Sequence, residues 1–136
     1  MADLSPTAAN VIAGSDAITE AGTLGATVVP GDAIYKDSAD GLWKLADADG
    51  ASALIRTPTG IALNGGASGQ PVKVLKSGSL TLGAILTAGV AYYLSNTAGK
   101  LCPVADIGTG EYACFMGIAT STSVLKVNIT PSGVAL

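Results

Sequence analysis

The sequence predicts an all-β chain: a small β-sandwich or barrel built from two tandem pseudo-repeats of hairpins behind an extended N-terminal arm. Three observations carry that prediction. TLGA stands at residues 23–26 and again at residues 81–84, each time heading a related stretch. Turn sequences rich in Gly recur at short intervals, and 18 of the 136 residues are Gly. Apolar residues nowhere keep helical spacing between caps, apart from one short turn near Thr7–Ile12.

Residues 1–22 have no counterpart later in the chain. Ala, Ser, Thr and Asn surround one apolar pair, Val11-Ile12, and a single Ile18. The segment reads either as an edge strand or as an arm that docks on a partner, with Val11, Ile12 and Ile18 as its anchoring side chains. Deleting it is then expected to weaken partner binding and leave the β content intact.

Residues 23–136 form one β domain, with copies of approximately 23–80 and 81–136. After TLGA, Gly31, Ala33, Tyr35 and Gly41 match Gly89, Ala91, Tyr93 and Gly99 at one fixed offset. Ala46-Asp47 then matches Ala105-Asp106, and Gly60-Ile61-Ala62 matches Gly117-Ile118-Ala119. Several motifs repeated in one order indicate an internal duplication. In each copy a turn, Val28-Val29-Pro30-Gly31 or Leu86-Thr87-Ala88-Gly89, leads into an apolar strand, Ala33–Tyr35 or Ala91–Leu94. Gly41 and Gly99 then sit where a hairpin turn requires positive φ, and Leu42–Leu45 or Lys100–Val104 returns as the partner strand. A second hairpin follows: Gly60–Leu63 with Val72–Lys76, and Gly117–Ala119 with Val124–Ile129. In the last strand Leu125, Val127 and Ile129 share one face while Lys126 and Asn128 point away.

Composition bounds what such a fold does. A chain of 136 residues buries about two thirds of its unfolded surface, so it folds without a metal or disulfide. Charged residues are only 12%, about half the usual share, which suggests a surface covered by partners or sister subunits. Net charge is −3 and the cations are scattered, which argues against nucleic acid. Residues 77–99 carry no charge and are long enough to span a bilayer, but Asp32 and Lys36 hold the places of Val90 and Leu94 in the other copy. A strand–turn–strand is therefore expected there, and no membrane span. The N-terminus lacks the pattern of a signal peptide, so synthesis in a cytoplasm is expected, with Cys102 and Cys114 as buried thiols; a cross-strand disulfide between them is the alternative.

Chemistry is sparse. With no His, a nucleophile would need Lys or a carboxylate as its base, and no Ser or Cys lies in a recognisable elbow. Asp47 with Glu111 is the one carboxylate pair that could serve a hydrolase. Asp47-Ala48-Asp49-Gly50 resembles part of a calcium loop, yet Leu45 and Arg56 occupy ligand positions, so turn-forming Asp is the better reading; a looser site would join Asp37, Asp40 and Asp49. The loop Asn64–Gly69 opens no helix and has no Lys-Ser or Lys-Thr, which leaves a hairpin loop in place of a phosphate cradle. No catalytic, cofactor or metal residue is assigned. Trp43, Tyr35, Tyr92, Tyr93 and Tyr112 read as packing anchors, and any exposed one becomes a candidate contact for a partner.

The order TAANVIAGS, GATVVPGDAIYKDSADGLWKLADADG, TPTGIALNGGASGQPVKVLKSGSLTLGA, LTAGVAYYLSNTAGKL and MGIATSTSVLKVNITPSGVAL covers nearly the whole chain. It resembles the capsid decoration, or cement, proteins encoded beside the major capsid protein in tailed bacteriophages. That resemblance implies a β-rich virion protein that binds the outside of the assembled head through the major capsid protein and strengthens the shell, often as a homotrimer, with no cofactor and no enzymatic activity. A host-recognition module, such as part of a fibre or tailspike binding a surface glycan, is the alternative.

Overall fold

The structure is a computed structural model and describes residues 3–135. The chain is all-β: ten strands form one antiparallel sheet that curls into a half-barrel. They are β1 (Ile12–Ala13), β2 (Ile18–Thr23), β3 (Ala33–Lys36), β4 (Trp43–Leu45), β5 (Gly60–Ala62), β6 (Pro71–Thr81), β7 (Ala91–Leu94), β8 (Leu101–Pro103), β9 (Tyr112–Ala119) and β10 (Val124–Ala135). Their order is β4-β3-β5-β6-β10-β9-β7-β8, with β1 and β2 added beside β6. Of the two expected architectures, the sheet takes the barrel-like one. The helical turn expected near Thr7 is a single 3-10 turn, Ala8–Asn10.

The hairpins fall where the turn chemistry puts them. Ile34 opposes Leu45 across β3 and β4, and Tyr92 opposes Pro103 across β7 and β8. Between them Gly41 and Gly99 have φ of +73° and +78°, a region costly for any residue with a Cβ. Ala33 opposes Ile61 and Ile34 opposes Gly60; Ala91 opposes Ile118 and Tyr92 opposes Gly117.

Two cores result. The smaller holds Leu24, Val28, Ile34, Trp43, Ala62, Val72 and Val74. It lies inside a ring that closes where Leu24 bridges Trp43 in parallel and Gly25 N donates to Trp43 O at 2.8 Å. The larger core takes the opposite face of the same strands, Ala33, Tyr35, Ile61 and Leu75, and packs it against Tyr92, Leu94, Leu101, Met116, Leu125 and Val127. Side-chain alternation along each strand delivers both sets. The β7–β8 turn locks the two halves together, since Ala33 N donates to Gly99 O at 2.8 Å and Gly99 N to Ala46 O at 2.7 Å. Asp32, buried, holds Lys100 at 3.0 Å across the same junction.

Residues 77–99 are the end of β6, a turn region and β7, as the sequence expects. Among the described residues no helix is long and apolar enough to cross a membrane.

The N-terminal segment takes the edge-strand form and is not a free arm. β2 pairs with β6 from Ile18–Ser77 to Thr23–Pro71, and β1 pairs Ile12 with Thr81. Ahead of them Leu4 N donates to Leu101 O at 2.8 Å and Ser95 Oγ donates to Asp3. The expected effect of truncation changes accordingly. Removing residues 1–22 strips β1 and most of β2 from the sheet, so the variant is expected to lose cooperative unfolding in urea and expose apolar surface to a dye such as ANS. A native-like β spectrum with an unchanged urea midpoint would restore the arm reading.

Candidate partner-binding face

Val11, Ile12 and Ile18 part company in the structure. Val11 is buried and packs in the larger core, so in this fold it serves as a core side chain. Ile12 and Ile18 stay 57% and 63% exposed. Val11 and Ile12 are adjacent in the chain, and in extended backbone that turns the second away from the core.

Ile12 is one corner of a larger surface. Cross-strand partners in a sheet share a face, so the registers fix which side chains stand together. One row runs Ile12, Thr81 and Val124; the next runs Ser79, Lys126, Ile118 and Ala91. After a bulge between Tyr92 and Tyr93 come Tyr93 and Phe115, whose rings meet edge to face with centroids 5.7 Å apart. Ile118 is 42% exposed, and Val124, Ala91, Tyr93 and Phe115 are half-buried. Their strand neighbours Leu80, Leu125, Val127 and Tyr92 point the other way into the core. The face is therefore outward and mainly apolar, on a framework held by backbone hydrogen bonds. On β3 and β5, by contrast, Ala33, Tyr35 and Ile61 lie in the larger core and are at most 6% exposed.

Its one charged feature is a fixed pair. Lys126 Nζ lies 3.0 Å from Asp16 Oδ2, and Asp16 Oδ1 accepts from Ser79 N at 2.9 Å. The Ser79 backbone N–H, then Lys126, hold the Asp16 carboxyl down at about 2. An ion pair this exposed adds little stability and serves better to fix orientation against a partner.

The candidate chemical groups do not assemble into a catalytic or metal centre. Asp37 and Asp40 both engage Lys44, at 2.8 and 2.9 Å, and both close turns by accepting from Ala39 N and Leu42 N. These contacts hold both carboxyls below the usual range. Among the described residues no group of three or more His, Cys, Asp or Glu is placed to hold a metal ion. The loop Asn64–Gly69 is tied to itself: Lys73 N donates to Asn64 Oδ1 at 2.6 Å and Ala67 N to Gln70 Oε1 at 2.7 Å. Cys102 and Cys114 are buried free thiols, and burial pushes both up to about 12.

Asp47 and Glu111 do come within electrostatic reach of each other. Burial, then the side chain of Asp49 and the charges of Asp49 and Glu111, push Asp47 up to about 6. Glu111 is buried, with one oxygen accepting from Gly108 N and the other unpaired. Neither lines the two clefts beside β10, which are bounded by residues 53–59, 76–77, 112–113 and 128–133. The pair's measurable consequence is on folding. Asp47 takes up a proton at about 6 in the folded chain and at about 3.9 in the unfolded one, so stability rises as pH falls from about 7 toward about 4. Below about 4 the low pKa of Asp16 acts in the opposite sense. The melting temperature is expected to climb between pH 7 and about 4.5, and Asp47→Asn to flatten that climb; an equal climb in the variant would exclude Asp47 as its source.

No protein-family model matches this chain, and no curated protein matches it.

Sequence reasoning named Ile12 and Ile18, and read Tyr93 as a packing anchor that becomes a partner contact if exposed, but missed Ile118, Val124 and Phe115. Alternation in β9 and β10 separates buried from outward residues, yet it gives no sign that the outward ones join Ile12, which lies more than a hundred residues earlier.

Proposed function

We propose that this protein is a structural component of a bacteriophage virion that binds the outer surface of the assembled capsid and stabilises the shell, without catalysis. The observation that carries it is the outward face of Ile12, Val124, Ile118, Ala91, Phe115 and Tyr93, an apolar patch on a rigid sheet with one oriented ion pair. A protein partner is the natural cover for a surface of this kind. The resemblance of the sequence to capsid decoration proteins names the partner class: the major capsid protein, with the protein itself a homotrimer. Low charge suits a molecule whose surface is largely occupied in its assembled state. Binding to the assembled lattice stabilises that lattice by mass action, and many copies add interface without covalent chemistry. The matching registers of β3–β5 and β7–β9 support a duplicated ancestral unit as the origin of the two halves.

The test mixes purified protein with undecorated capsids and follows co-sedimentation and capsid melting. Saturable co-sedimentation and a higher capsid melting temperature are expected. Ile12→Asp combined with Ile118→Asp is expected to weaken binding at least about tenfold, since both put a charge into an apolar contact face, while leaving the far-UV spectrum unchanged. Protein that stays in the supernatant at saturation, with no change in capsid melting, would end the proposal.

A further inference from the structure

Arg56 is the chain's sole arginine, and its environment is unlike that of the paired lysines. Lys44, Lys76, Lys100 and Lys126 each lie 2.8–3.6 Å from a carboxylate. Arg56 has no carboxylate at that range among the described residues. Its guanidinium carbon instead sits 3.7 Å from the centre of the Tyr112 ring. Stacking covers a flat face of the group and leaves its N–H edge for another partner. Its Nε, on the covered side of the group, has no hydrogen-bond acceptor among the described residues.

Arg56 and Tyr112 border a small open cleft whose other walls are Ala53, Thr57, Ala113, Pro131 and Gly133. Arg56 is its one cation. A guanidinium held flat by a ring presents two parallel N–H bonds with the spacing of the two oxygens of a carboxylate. A single positive charge balances a monoanion, and the small apolar walls leave room for a short stem behind it. A phosphate dianion would call for more cations than the cleft supplies.

We propose that the Arg56–Tyr112 cleft is a carboxylate-binding pocket that receives one carboxylate on a short stem, presented by a partner as an Asp or Glu side chain or as a chain end. Arg56 binds the two oxygens, and Tyr112 holds the guanidinium in the orientation that makes both bonds possible.

The single arginine makes the test direct, because the Nε–Hε signal in a 15N-labelled sample belongs to Arg56 alone. Titration with acetate is expected to move that signal saturably, with a midpoint in the millimolar range, while sodium chloride at equal ionic strength moves it little and inorganic phosphate binds less tightly. N-acetyl-aspartate amide and N-acetylglycine then separate the two sources, the side-chain carboxylate and the chain end, by which binds tighter. Arg56→Lys keeps the charge but loses the fork, and is expected to weaken acetate at least about tenfold as read from the Thr57 and Ala113 amides. A non-saturating shift that chloride reproduces in the wild-type protein would overturn the pocket, as would unchanged acetate affinity in folded Arg56→Lys. Because no capsid enters the experiment, failure of the pocket and failure of capsid binding are read separately.

Discussion

Replacing Trp43 with alanine is expected to cost about 3–5 kcal/mol of folding stability, the range for deleting a large buried aromatic side chain. Trp43 is 1% exposed, is the sole tryptophan of the chain, and fills the smaller core with Leu24, Ile34 and Val74 around it. Two features push the value toward the upper end. The indole stands at the seam where the first half closes on itself, the backbone of Leu24 bridging this residue and Gly25 N donating to its carbonyl, so the cavity would open beside that seam. The ring also packs on Gly22, where an added Cβ would lie 2.3 Å from the indole nitrogen, so no larger neighbour stands ready to fill the space. Urea unfolding followed by circular dichroism reads the loss as a fall of about 2 M in midpoint at an ordinary slope for a domain of this size. A fall below about 0.5 M would mean that the smaller core collapses around the cavity and that ring closure does not depend on the indole.

Gly78→Ala is the second substitution with a large expected effect, about 2–5 kcal/mol from two sources that add. Gly78 has φ of +105°, a conformation costly for alanine. A Cβ there would also lie 2.7 Å from both Ala17 Cα and Asp16 O, backbone atoms that cannot rotate away. Gly41 separates the two contributions, because its φ of +73° is comparable and an added Cβ meets nothing within 4 Å. Gly41→Ala is expected to lose only the torsional part, about 1–2 kcal/mol. The difference in urea midpoint between the two variants then measures how tightly the segment before β2 is pressed against β6. Equal losses would show that the close approach of Asp16 and Ala17 relaxes at no cost.

The all-β class was legible in the sequence because its signals are local. Gly41 and Gly99 announce positive φ within four residues of each turn, and alternation in Leu125, Lys126, Val127 and Asn128 separates buried from exposed side chains without reference to the rest of the molecule. What stayed hidden depends on contacts between distant residues. The end of β2 at Thr23 is one such case, because pairing with β6 decides where that element ends. Val11 and Ile12 look alike in sequence, and only packing into the larger core selects Val11 for burial. The candidate face was half visible for the same reason: Ile12 stood out as an apolar residue in a polar segment, whereas Ile118 and Phe115 look like ordinary strand residues until the register places them beside it. The stacking of Arg56 on Tyr112 joins residues 56 positions apart and has no local signature.

β6 has a consequence for how the molecule resists force and heat. Its eleven residues serve as the spine of both halves, pairing with β2 and β5 along Pro71–Ser77 and with β10 and β1 along Gly78–Thr81. Neither half can shed this strand without unzipping the other, so tension applied between the chain ends has no weak seam at which to part the molecule in stages. On the pressurised shell that we propose as its seat, that would mean holding until it fails all at once, at a load set by the whole sheet.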